Sequence, residues 1–134
     1  MSIENFSTDK NVVTINGRQI QDWGETDPAV TESPIDPKRV VRRGQGGSAA
    51  MLERINPGRS VVVNLNPGSA DASYMQGLFN SGALIVYTRT VIGTLENVIA
   101  EQGVIVNDGP TGRAGQTITD AQYTMEFNSW TELK

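Results

Sequence analysis

Cysteine and histidine are both absent from the 134 residues. Without cysteine there is no disulfide, no thiolate nucleophile and no zinc–sulfur site. Without histidine the commonest general base, the commonest metal ligand and the side chain best suited to switching near neutral pH are missing, and most familiar hydrolase mechanisms go with them. Positive charge is in short supply: 11 Lys and Arg against 15 Asp and Glu give a formal charge of −4. Neutralisation of phosphates is therefore not the expected main activity, since that affinity comes from Lys and Arg displacing counterions. Long apolar runs are missing too. The longest, Ala83 to Tyr87, falls far short of the ~20 residues of a membrane-spanning helix. The opening MSIENFSTDK has no apolar stretch after a positive one, so a soluble protein without membrane contact or export signal is expected.

What is present fits one domain spanning 1–134 with a core of its own, at 37% hydrophobic and 19% charged residues. Asn11 to Gly17 has the composition of a short strand that turns at Asn16-Gly17, a dipeptide suited to a type I′ hairpin, with Arg18 to Trp23 returning. From about 24 to 50 runs a long loop holding Pro28, Pro34 and Pro37 and a glycine-rich end, with Val30 to Ser33 pairing at most briefly. Loops this long are usually functional or disordered. Two Asn-Pro-Gly turns bracket the β-branched run Arg59 to Leu65, a clear strand.

One helix is predicted, over about 70–81. Ser69 offers the N-cap oxygen, Asp71 a negative charge in the first turn, Tyr74, Met75, Leu78 and Phe79 an apolar stripe for the core, and Gly82 a stop. After it the pattern is β throughout: Leu84 to Ile92, Thr94 to Glu101, Val104 to Val106, and an alternating strand through Tyr123, Met125 and Phe127. This is a mainly β chain, an antiparallel sandwich or barrel with one flanking helix.

Chemistry-bearing motifs are weak. Gly109 to Thr117, GPTGRAGQT, imitates a phosphate loop, but five residues separate Gly109 from Gly115, Gln116 stands where lysine is needed, and a strand follows instead of a helix. It is a hairpin connection. Asp22, Glu25 and Asp27 lack the glycine and terminal glutamate of a calcium loop, and Glu96 and Glu101 fall on opposite faces of a regular strand. No catalytic, metal or cofactor site is expected. The cluster Lys38, Arg39, Arg42, Arg43 is either a solvated basic loop or an arm that pairs with acidic surface on another copy, because guanidinium forks suit carboxylates. With no aromatic residues between the arginines, a nucleic-acid role ranks third.

The succession Asn11 to Ile20 (NVVTINGRQI), Gly24-Glu25 leading into Val30 to Ser33 (VTES), Arg39 to Gly47 (RVVRRGQGG), the β-rich Ser60 to Leu65 run and a single helix resembles the tail tube proteins of contractile-tailed bacteriophages over roughly residues 10 to 130. The resemblance implies a small antiparallel β-sandwich with a flanking helix. In that family six copies form a ring, their sheets join into a continuous inner barrel, and rings stack into a tube inside a contractile sheath. It implies as partners the chain itself, the sheath protein, and tape measure and baseplate or terminator proteins. It further implies that DNA passes through the lumen without specific binding. The location implied is the virion tail, assembled in the host cytoplasm.

Open strand edges invite pairing with neighbours, and ring closure removes them. Lys38, Arg39, Arg42, Arg43 and Gln45, with Trp23, are the expected subunit-contact residues. Acids are expected to outnumber Lys and Arg on the lumen wall, repelling DNA within the ~8 Å screening length of physiological salt. Competing readings are a ring-forming tube protein of a bacterial contractile secretion system, and a small β-barrel module binding sugar or peptide on a platform of Trp23, Tyr87 and Trp130.

Overall fold

A computed structural model describes residues 10–134. The chain opens on β1 (Asn11–Ile15) and β2 (Arg18–Ile20). Asn16 and Gly17 between them hold φ of 51° and 84°, the two positive values that a type I′ turn requires and that this pair tolerates best. Then come β3 (Val30–Pro34), the hairpin strands β4 (Arg39–Arg43) and β5 (Ala49–Glu53), β6 (Arg59–Leu65), α1 (Ala70–Ser81), β7 (Ile85–Val91), β8 (Asn97–Asp108) and β9 (Ala121–Leu133). Seven strands form one antiparallel sheet in the order β2-β1-β7-β8-β9-β6-β3, while β4 and β5 pair only with each other.

The long sheet rolls up until its two margins meet. Beyond β2, Trp23 makes an antiparallel bridge to Leu65 of β6. The Gly24 N–H donates to Asn64 O (3.0 Å) and the Asn66 N–H to Asp22 O (2.8 Å) on either side of it. β6 therefore carries β3 along most of one edge and the Trp23 segment along its last residues. Inside lie Val13, Ile15, Ile20, Val61, Val63, Leu65, Ile85, Tyr87, Val98, Ala100, Ile105, Tyr123, Met125 and Phe127, all buried, from every strand but β3 and the hairpin. Strand pleating places alternate residues inside. Burying this set relative to an unfolded chain is the main stabilising term, at about 25 cal/mol per Å².

The helix plugs one pole of the barrel. Ser69 Oγ accepts from the Ala72 N–H, and Gly82 closes the helix in the left-handed region at φ 68°. Met75 is fully buried and Ala72 nearly so, with Tyr74, Leu78 and Phe79 partly buried against the core, as the stripe predicts. Tyr123 Oη donates to Gln76 Oε1 (2.9 Å) and Tyr74 Oη to Ile15 O (3.3 Å), tying helix to sheet.

Two segments depart from the sequence expectation. The stretch 24–50 is not irregular: Val30–Pro34 adds a full strand to the sheet and 39–53 form a hairpin. Pro34 is tolerated there because it ends an edge strand. The segments Thr94–Glu101 and Val104–Val106 are one long strand, β8. A bulge at Gln102, at φ 56°, resets the alternation so that Ala100 and Gly103 both face inward.

Candidate functional site

The hairpin β4–β5 stands outside the barrel. Every residue from Pro37 to Asn56 is exposed. Val40 and Leu52 face each other across it, as do Val41 and Met51, and these four are 44–61% exposed, with Ile55 at 93%. Pleating sends the two apolar pairs to opposite faces, so neither face has a core. A two-stranded hairpin of this kind is at best marginal in water. Its root is held by backbone bonds, Ile35 N–H to Gly58 O (3.3 Å), Asp36 N–H to Pro57 O (3.2 Å) and Arg54 N–H to Lys38 O (2.8 Å).

All four basic residues singled out in the sequence lie on this hairpin or at its root, with Gln45 at its tip. Arg39 pairs with Glu53 at 3.3 Å. Lys38, Arg42 and Arg43 have no carboxylate within 4.0 Å among the described residues, and residues 36–54 hold five basic side chains against two acidic ones. Trp23, the sixth candidate, is elsewhere: half-buried in the barrel seam, packed on the core.

The hairpin leaves from the pole where β3 ends and β6 begins; α1 covers the other pole, where β6 ends and β9 begins. That second pole is acidic. Asp22, Glu25 and Asp108 are exposed there. The two nearby arginines are occupied: Arg18 binds Asp71 at 2.8 Å, and Arg113 donates to Gly112 O (2.8 Å) and Thr119 O (3.0 Å), folding the GPTGRAGQT connection on itself.

Two carboxylates hold the seam at this pole. Asp71 accepts from Arg18 Nε and from the N–H groups of Gln21 and Asp22 (2.8 and 2.9 Å). Burial opposes its ionisation, but these donors outweigh it and keep its carboxyl below the usual range. Asp120 accepts from the Thr26 hydroxyl (2.6 Å), the Thr26 N–H (2.8 Å) and the Glu25 N–H (3.2 Å). The Thr26 hydroxyl is the main cause of its lowered pKa.

A charged network occupies the barrel interior towards the hairpin pole. Arg89 of β7 donates to Glu32 of β3 through Nε (2.8 Å) and Nη2 (2.9 Å), and its Nη1 reaches Glu96 at 2.7 Å. Desolvation alone would lower the Arg89 pKa, but its two carboxylate partners raise it instead. Tyr87 Oη donates to Glu32 at 2.7 Å, and burial pushes its ionisation far up. Glu32, Arg89 and Glu96 line a cavity of about 500 Å³ together with Trp23, Arg59 and Glu132.

This geometry removes the binding-platform expectation for Tyr87, Trp130 and Trp23. Tyr87 is completely buried. Trp130 stacks on it with centroids 6.0 Å apart, and Trp23 is spent on the seam; the three rings present no common exposed face. Sequence reasoning missed the Glu32–Arg89–Glu96 network and the seam, because both join residues far apart in the chain.

The class defined is a rolled antiparallel barrel with one plugging helix and a free-standing basic hairpin. No family profile matches the sequence, and no curated protein matches it. Solved structures do share the fold. The sheath/tube terminator of PVC, an extracellular contractile injection system, superposes with a TM-score of 0.63 at 11% identity, over 100% of both chains. The tube-terminating cap of the anti-feeding prophage gives 0.59 at 15% identity, over 99% of this chain and 93% of that one. A chain of the PVC sheath-tube complex gives 0.61 at 10% identity, over 96% and 91%. The chain thus shares its fold with these components of contractile injection assemblies.

Proposed function

We propose that this chain is a self-assembling ring protomer of a contractile, phage-tail-like tube, built as a single tube-type domain that works by assembly and not by catalysis. The observation that carries the reading is the polarity of the subunit: a basic hairpin with no core of its own at one pole, exposed carboxylates at the other. A hairpin with apolar and guanidinium groups all in solvent gains stability once another surface covers it. In a solution of identical chains the complementary surface is the acidic pole of the next copy. Repeating that head-to-tail contact along an axis stacks subunits, and a second heterologous contact that closes on itself makes rings.

The full proposal has six copies per ring and Lys38, Arg39, Arg42, Arg43, Gln45 and Trp23 as subunit-contact residues. A sheath protein lies outside, tape measure and baseplate or terminator proteins complete the tube, and DNA passes through the lumen of a virion tail without specific binding. A second reading places the same tube in an extracellular injection particle, which the origin of the structural neighbours favours. A third, a tube terminator, has the full-length likeness to two such proteins in its favour. Complementary charge on both poles favours self-stacking over termination, since a terminator needs only one axial face.

The test is electron microscopy of the purified protein. Hollow rods are expected for the unaltered chain, and none for Arg42→Glu/Arg43→Glu. Adding Asp22→Lys/Glu25→Lys to that variant restores them. Rings that never stack favour a terminator, and particles of monomer size at every concentration overturn the assembly reading.

A further inference from the structure

Arg59 is a cation in the barrel interior that forms no ion pair within 4.0 Å among the described residues. It begins β6, directly after the root of the hairpin, and stands between two cavities. One is the interior cavity of about 500 Å³ already described; the other, about 410 Å³, opens at the hairpin root among Pro34, Lys38, Ile55, Pro57 and Trp130. The guanidinium lies 5.3 Å from the centre of the Trp130 ring. Its Nε is buried and has no hydrogen-bond partner among the described residues.

Three of the four acids around the cavity have closer partners, although Arg59 still helps to hold the Glu132 carboxyl below its usual range. Glu32 and Glu96 belong to Arg89. Glu132 accepts from Trp130 Nε1 (3.1 Å) and pairs with Lys134 (3.3 Å). A buried donor without an acceptor is costly, and an Arg fork held over an aromatic ring keeps its donors in a fixed plane that suits a planar, bidentate acceptor.

We propose that Arg59 is the receiving group of a carboxylate site, and that the carboxylate is an Asp or Glu side chain of a second copy's acidic pole. The singly charged, planar carboxylate fits better than phosphate. The interior cavity is lined by four acids, Asp27, Glu32, Glu96 and Glu132, against three cations, Arg59, Arg89 and Lys134, so repulsion grows with the charge of the ligand and a single charge is tolerated better than two. The second copy follows from position: Arg59 is on the hairpin pole, which the exposed acids of Asp22, Glu25 and Asp108 meet in head-to-tail stacking. This half of the inference rests on the tube reading. The existence of the site does not.

The experiment uses Trp130 as reporter, in a Trp23→Phe background that leaves it the sole tryptophan. Sodium acetate is titrated into the unassembled protein, with sodium chloride at matched ionic strength as control. Acetate should change the Trp130 emission saturably, with half-saturation on the order of tens of millimolar for a single charge-assisted pair. Arg59→Met abolishes the change; Arg59→Lys, which keeps the charge and the fold but loses the fork, weakens it several-fold. An emission that responds equally to chloride, or is unaffected by either Arg59 substitution, overturns the site.

In assembled rods the emission should already stand at its acetate-saturated value and acetate should have no further effect. Rods that still titrate with acetate overturn the second copy as the source and leave a free carboxylate as the ligand. Failure of the unaltered chain, with Trp23 in place, to form rods counts against the tube reading, while the acetate result on the unassembled chain still decides the site.

Discussion

The Phe127 ring lies on Gly103, its partner across the β8–β9 ladder, and fills the space where any other residue would carry a Cβ. The bulge at Gln102 turns Gly103 inward, so the glycine is needed for room. Gly103→Ala should cost about 1–3 kcal/mol through overpacking. Adding Phe127→Leu should recover part of that loss, because the two sites share one volume. Urea unfolding of the two variants checks both statements. Equal stability of Gly103→Ala and the parent would mean the ring is free to move aside.

Arg89 holds β3 to β7 although β8, β9 and β6 separate them in the sheet. Removing it strands two carboxylates, of which Glu32 is 9% exposed at its side chain. Arg89→Met should therefore destabilise by about 3–5 kcal/mol. Glu32→Gln in the same chain should restore a good part, since a neutral amide no longer needs a counter-ion. A double-mutant cycle in denaturant gives the coupling, and strict additivity would contradict the reading.

Stability should fall in acid through the seam. Asp71 and Asp120 have pKa values below their ordinary 3.8. Such groups add stability that is fully present above the unfolded value and is lost as pH falls through the depressed native ones. Asp71→Asn should flatten the slope of unfolding free energy below about pH 4, while Asp71→Ala should also lower stability at pH 7 by leaving Arg18 and two N–H groups without an acceptor. Chemical denaturation at a series of pH values is the measurement.

Salt should dissolve the axial contact before the lateral one. In the proposed stack the hairpin pole and the acidic pole attract as exposed charges, and raising ionic strength from 0.1 to 1 M shortens the screening length from about 10 to about 3 Å. Rods should shorten or break into rings in that range. Sedimentation across a salt series shows it, and rods indifferent to salt would place the axial contact on the apolar residues of the hairpin instead.

A reconstruction of the tube would also test its bore. Acidic side chains should outnumber Lys and Arg on the lumen wall; a basic bore would refute the expectation of a surface that repels nucleic acid.

Local chemistry made much of this fold legible. Asn16-Gly17 announces its turn, Ser69 and Gly82 its helix ends, and Arg59 to Leu65 its strand, because each depends on neighbours in sequence. The hairpin was hidden for the opposite reason. Val40, Val41, Met51 and Leu52 carry no inside–outside alternation, since neither face is buried, and three prolines nearby suggest a loop. The arginines were visible as a cluster; that they stand clear of the barrel was not. Glu32, Arg89 and Arg59 were invisible as a group, because only the rolling of the sheet brings them together. Asp71 looks like a helix-dipole charge and is one, but its bonds go to the seam.

The placement of β9 bears on how the molecule comes into being. Ala121 to Phe127 supplies the second neighbour of β6, a strand made some sixty positions earlier, and β1 meets its partner only when β7 has been synthesised. The amino-terminal half thus leaves the ribosome with ladders waiting for partners that do not yet exist. Such distant pairings make for slow maturation, and for a nascent chain that chaperones have reason to shield.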